Sequence, residues 1–247
     1  MASLVAPTMG TTVSIDVRDA GVPRAALADA VAMLAEIEGR FTTYRADSEI
    51  NRIGRGELSV GDAHPDVREV LDACSVLRAE SGGAFDAWRD GALDPSGYVK
   101  GWAAERAADV LRRAGARSFS VNIGGDVVCT GEARPGEPWR VGVRHPADPF
   151  QMLLVLGVRD GAVATSGLYE RGAHIRHATT GAVPAAWQSI TVLAPDLAAA
   201  DAIATAALAM GEPGPQWASA RPGCEVAALD ASGHLWTTRG IEAARLS

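Results

Sequence analysis

The sequence predicts an α+β fold, a mainly antiparallel sheet with packed helices, and three observations lead there. Segments with helical spacing and segments with strand-like alternation cluster along the chain; they do not alternate strictly. The strand-like segments are short and separated by Gly and Pro turns, as hairpins require. No GxGxxG follows a strand and no GxxxxGK[ST] occurs, so neither common nucleotide-binding loop supports a doubly wound sheet.

Thr11 to Val17 alternates as a strand. From Arg24 to Arg40 apolar residues recur at helical spacing (Leu27, Val31, Leu34, Ile37), with Pro23 suited to the first turn. A second helix is expected from about Asp66 to Arg78, and a third from about Val99 to Ala114, closed by Gly115. The period then changes. Ser118 to Ile123, Asp126 to Thr130, Trp139 to Val143, Met152 to Val158 and Trp187 to Leu193 read as strands. Leu197 to Met210 reads as a helix ended by Gly211, and Glu225 to Leu229 and His234 to Thr238 as a closing pair of strands around Ala231-Ser232-Gly233.

At 247 residues with 47% apolar and 21% charged side chains, the chain has ordinary globular composition, and a single domain over 1–247 is expected. A net charge of -7 lacks the basic footprint of a nucleic-acid binder. No apolar run approaches the roughly 20 residues that span a bilayer, so no transmembrane segment is expected. The first ten residues show neither a basic n-region nor a long apolar stretch, which makes a cytoplasmic location the default. Cys74, Cys129 and Cys224 have no metal-ligand spacing and read as buried free thiols.

Four constellations could carry chemistry. Asp201 and Thr205 stand four apart on an almost wholly apolar helix, so their oxygens share one face of a buried element. A buried carboxylate needs a partner, and Mg²⁺ prefers such oxygens; the plainer alternative is an aspartate bonded to a nearby loop. In Asp94-Pro95-Ser96-Gly97-Tyr98-Val99-Lys100, Asp94 and Ser96 occupy capping positions and Gly97 permits close backbone approach. Lys100 is expected in the first helical turn, where the helix dipole disfavours a cation unless an anion lies beside it.

The turn Ser81 to Trp88 holds two glycines, Phe85 and Asp86, which could grip a flat ring and bond its edge, or simply end a helix and bury a Phe. Thr165 to Gly181 concentrates Arg171, His174, Arg176 and His177 among small polar residues, and His174 could move a proton near neutral pH. Asn122 to Asp126 is readable as a turn or as a ligand-approach loop.

Taken in order, these blocks resemble one family, the FAD:protein FMN transferases of the ApbE type. The resemblance begins at Met9-Gly10-Thr11, Phe41-Thr42-Thr43-Tyr44, Asp47-Ser48-Glu49-Ile50, Ala84-Phe85-Asp86 and Asp94 to Gly101. It continues through Asn122 to Asp126, Pro138 to Val143, Ala164 to Arg171, His174 to Gly181 and Ala200 to Thr205. It implies an α+β fold and a Mg²⁺-dependent transfer of FMN from FAD, the substrate, to a Thr or Ser hydroxyl of an acceptor flavoprotein, with release of AMP. By position it implies that Met9, Tyr44, Ala84, Phe85, Asp86, Asp94, Lys100 and Ile175 contact FAD. Asp201, Thr205 and the Gly97 carbonyl would hold the metal. His174 would help deprotonate the acceptor, and Lys100 would offset phosphate charge.

Two departures from the family pattern stand out. His177-Ala178-Thr179-Thr180-Gly181 replaces an Asp-Pro-Arg/Lys-Thr-Gly run, and the stretch from Asp86 to Asp94 lacks an insertion of tens of residues. FAD hydrolysis to FMN and AMP, and flavin binding without catalysis, are the alternatives at this stage.

Overall fold

The computed structural model describes residues 1–89, 91–168, 177–182 and 184–246. The chain opens with β1 (Ala2–Thr8), β2 (Thr11–Val17), α1 (Arg24–Phe41), α2 (Glu49–Gly54) and α3 (Pro65–Glu80). A small hairpin, β3 (Trp88–Arg89) and β4 (Ala92–Leu93), precedes α4 (Ser96–Arg113). Then come β5 (Phe119–Ile123), β6 (Asp126–Thr130), β7 (Trp139–His145), β8 (Asp148–Val158), β9 (Gly161–Gly167) and β10 (Trp187–Ala194). The chain closes with α5 (Leu197–Met210), α6 (Gly214–Ser219), β11 (Glu225–Asp230), β12 (Leu235–Thr237) and α7 (Arg239–Ala244).

Eight strands form one sheet in the order β1-β2-β5-β6-β9-β10-β11-β12, and every pairing is antiparallel. The predicted class therefore holds. The first core joins the inner faces of α1, α3, α4 and α5 to Val13, Ile15, Val121, Ile123, Val128 and Ile190 on one side of the sheet. A second core covers the other side, where Trp139, Val141, Val143, Leu154 and Leu156 of the β7–β8 hairpin and Ile241 of α7 meet Val127, Cys129, Val163 and Ala227.

Covering both faces explains a pattern in the sequence. In β6, β9 and β11 both sets of side chains are removed from water, so Val127-Val128-Cys129 and Val226-Ala227-Ala228-Leu229 run apolar without alternating. By contrast β7 alternates strictly, with Trp139, Val141 and Val143 buried and Arg140, Gly142 and Arg144 exposed, because only one of its faces is covered.

α5 is the central helix, buried almost throughout, and lies between α4 and strands β9 and β10. Asp196 caps its start by accepting the N–H of Ala199 at 2.8 Å, and Gly211 ends it at φ 71°. Gly101 lets α4 approach: a Cβ there would stand 2.3 Å from the Leu197 carbonyl oxygen and 2.7 Å from Asp201 Cβ. That contact brings the Asp94 to Lys100 block against Asp201 and Thr205. Among the described residues no helix is long and apolar enough to cross a membrane.

All three cysteines are free and buried, and burial pushes the Cys74 and Cys129 thiols up to about 12. Since the thiolate is the reacting form, iodoacetamide at pH 8 is expected to label none of them in the native protein and all three in denaturant. Intact mass after quenching reads the count, and native labelling of Cys74 or Cys129 would contradict their placement in the core.

Candidate flavin and cation site

A cleft with a cavity volume of about 350 Å³ opens at one end of the sheet, between the β1–β2 turn, the end of α1, the turn after α3, the start of α4, the end of β9 and α5. Met9, Tyr44, Ala84, Phe85, Asp86, Asp94, Gly97, Lys100, Asp201 and Thr205 all line it. His174 and Ile175 lie outside the described residues, as do Arg171 and Arg176.

At the inner end, α4 begins at Ser96, three residues earlier than its period predicts. Pro95 is its N-cap, and Asp94 Oδ1 accepts the N–H of Ser96 at 3.1 Å, so the Asp-Pro pair nucleates the first turn. Ser96 is accordingly the first helical residue and not a cap, and Lys100 is the fifth residue, beyond the first turn assigned to it from sequence. Two carboxylates, more than the helix dipole, set its surroundings. Its Nζ contacts Asp126 Oδ2 and lies 3.7 Å from Asp201 Oδ1.

Asp201 is only 3% exposed, and its Oδ2 accepts the N–H of Gly101 at 2.9 Å. In a regular helix that N–H serves the carbonyl four residues back, here Gly97, so the bond to Asp201 lessens its hold on that oxygen. Burial pushes the Asp201 carboxyl above the usual carboxylate range; the Lys100 ammonium pulls it down and the Asp126 charge pushes it up. One turn along α5, Thr205 Oγ1 shares a hydrogen bond with Ser166 Oγ at 2.9 Å. A Cβ on Gly97 would stand 3.2 Å from Thr205 Cγ2 and 3.0 Å from the Phe85 ring, so glycine keeps this corner open.

The facing wall is built from the turn that follows α3. Gly82 and Gly83 take positive φ (60° and 81°), reversing the chain so that Phe85 is buried, with its N–H bonded to Ser81 Oγ at 3.1 Å. The turn ends α3 and buries Phe85, as the plainer reading from sequence has it, and it also lines the cleft. Asp86 is more committed than its sequence role implies, since Oδ2 accepts from Arg78 Nε at 2.6 Å and Oδ1 from the Trp88 N–H at 2.9 Å.

Tyr44 is 95% exposed, so in this state it stands at the mouth and buries nothing. Met9 (φ 47°) and Gly10 (φ 69°) form the tight β1–β2 turn, which points Met9 at the cleft. The shortened stretch after Asp86 is the two-residue-a-side hairpin β3–β4. From the altered 177–182 segment, Thr179 Oγ1 donates to the Gly83 carbonyl at 3.0 Å and the Ala178 N–H to that of Ala84 at 3.1 Å. This segment thus docks on the cleft wall without the family's aspartate.

Arg89 and Glu38 line the cleft without a signal in the sequence, and neither the bond of Ser166 to Thr205 nor Asp126 as the partner of Lys100 was foreseeable from it. Ser166 lies in β9, which small residues and bounding glycines hide, while the Asn122 to Asp126 block is readable from sequence as a turn or a ligand-approach loop with no partner for its carboxylate. Among the described residues no group of three or more His, Cys, Asp or Glu is placed to hold a metal, so a cation here would draw on hydroxyl and carbonyl oxygens beside Asp201.

A family model described as the ApbE family matches residues 9–90 and 87–228. The FAD:protein FMN transferase of Vibrio cholerae is 27% identical over 271 residues, covering 85% of this chain and 81% of that protein. That of Treponema pallidum is 34% identical over 138 residues, 48% of this chain and 38% of that one. Among solved structures, the flavin transferase ApbE from Vibrio cholerae superposes with a TM-score of 0.84 at 24% identity over 98% of both chains. The ApbE protein from Thermotoga maritima reaches 0.87 at 21% identity over 100% of this chain and 99% of the other, which establishes the shared fold. With the family model covering most of its length, and the same mixed helix and antiparallel-sheet architecture, this chain belongs to the ApbE family.

Proposed function

We propose that this chain is a Mg²⁺-dependent FAD:protein FMN transferase, which cleaves the FAD pyrophosphate, carries FMN onto a Thr or Ser hydroxyl of a target flavoprotein and releases AMP. The observation that carries this function is one cleft that brings the apolar side chains of Phe85 and Met9 together with the oxygens of Gly97, Asp201 and Thr205. Relatives that bear the transferase name support the same reading.

The donors suit Mg²⁺. A carboxylate, a hydroxyl and a backbone carbonyl are hard oxygens, and Thr205 retains acceptor capacity beyond its bond to Ser166. When bound there, the cation supplies charge neutralisation on the pyrophosphate oxygens. Lys100 brings a second positive charge to the same end and stabilises the oxygen that departs with AMP. Phe85 and Met9 receive the isoalloxazine, with Ala84 and Asp86 beside it, and Tyr44 folds over it from the mouth, removing apolar surface from water. Asp94 holds the start of α4 through Ser96 and faces the same cleft. His174 is assigned the acceptor's proton and Ile175 a flavin contact, both from the family resemblance.

Incubation with FAD, Mg²⁺ and an acceptor flavoprotein is expected to give a fluorescent acceptor band on a denaturing gel, with one AMP per label, and EDTA is expected to stop both. AMP release without label would assign hydrolysis instead. Bound flavin with no AMP would make the chain a carrier.

A further inference from the structure

We infer that Asp126 is a positioning residue that sets the cation affinity of the cleft by holding the Lys100 ammonium off Asp201. The inference rests on the cation seat proposed above and concerns a residue that contributes no donor to it. Asp126 is 3% exposed, at the first position of β6. Its carboxylate is mounted rigidly: Oδ1 accepts the Thr165 N–H at 2.9 Å, and the preceding Gly124-Gly125 turn is tied by the Gly125 N–H to Asn122 Oδ1 at 2.9 Å. Oδ2 is left facing Lys100, whose long side chain can adapt to a fixed anion.

The consequence is electrostatic. Lys100 touches Asp126 and pairs with Asp201 Oδ1 only at 3.7 Å, so Asp126 takes the larger share of the ammonium and leaves the Asp201 charge less neutralised for a divalent ion. With both carboxylates ionised, the three charges sum to one net negative charge at the seat. If Asp126 loses its charge, the ammonium gains by closing on Asp201, and an arriving cation meets a neutral, blocked site. If Lys100 loses its charge, two carboxylates face the same ion.

Mn²⁺, standing for Mg²⁺ and followed by electron paramagnetic resonance of the free ion, tests this on the full chain. Asp126→Asn keeps an oxygen for Thr165 and is expected to weaken Mn²⁺ binding about tenfold, while Lys100→Met tightens it about tenfold and the double variant returns close to the starting affinity. A role in folding alone would weaken binding in all three. Unchanged or tighter binding in D126N, or no tightening in K100M, overturns the inference, provided Asp201→Ala abolishes binding. If Asp201→Ala leaves Mn²⁺ bound, the seat itself is misplaced and the inference falls with it. Should D126N fail to fold, Asp126→Glu takes its place: it keeps the charge but moves the carboxylate, so a changed Mn²⁺ affinity is expected and an unchanged one overturns the inference.

Discussion

Asp201→Ala is expected to lower FMN transfer by about 10³ or more while FAD still binds measurably through the apolar side chains of Phe85 and Met9. The size follows from geometry. Asp201 is the carboxylate among the proposed cation donors, and neither Thr205 nor the Gly97 carbonyl carries a formal charge to replace it. Its removal also takes one of two described carboxylates from Lys100 and strips the Gly101 N–H of its side-chain acceptor. The second variant, Asp201→Asn, separates these effects, because its amide oxygen can still accept from Gly101. Transfer lost in both variants, with stability kept in the asparagine form, places the loss on the charge. Stopped-flow AMP release and flavin-fluorescence titration measure the two halves; full activity in either variant would move the cation elsewhere.

Gly101→Ala is expected to destabilise the protein by about 3 kcal/mol and to disable the site through packing alone. Helix propensity argues for the opposite sign, since Ala in place of an interior Gly gains up to about 1 kcal/mol. Sterics decide. The new methyl would stand 2.3 Å from the Leu197 carbonyl oxygen and 3.0 Å from its carbon, which are backbone atoms of α5 that can yield only by separating the helices. Separation lengthens the Gly101 to Asp201 hydrogen bond and shifts Asp201 from the Gly97 corner. Gly97→Ala is a useful contrast, because its methyl meets a ring edge at 3.0 Å and a Thr methyl at 3.2 Å, which can give by a few tenths of an ångström. Urea unfolding distinguishes them: a stabilised Gly101→Ala protein would mean the helices are not held at this distance.

Elements whose stability is local were legible early. α5 was read from Leu197 to Met210 with its Gly211 stop, and that is its observed extent, since a long apolar run with an acidic cap and a terminal glycine needs no outside information. Elements with weak spacing, such as β1, β9, α2, α6 and α7, are not legible in the sequence, because neighbours hold them in place. β9 is built largely of small residues, Gly161-Ala162-Val163-Ala164, and becomes a strand by pairing with β6 and β10.

The site divides in the same way. The residue types, their order, and the pairing of Asp201 with Thr205 four positions apart on one helix face were settled by the sequence itself, because helix periodicity is a local property. Tertiary structure alone decided that Lys100 lies between Asp126 and Asp201, that Asp86 is taken by Arg78, and that Tyr44 stands exposed at the mouth. These follow from the approach of α4 to α5 and of both to the sheet. Contacts between residues far apart in sequence depend on backbone distances and burial, and no local pattern of side chains records them.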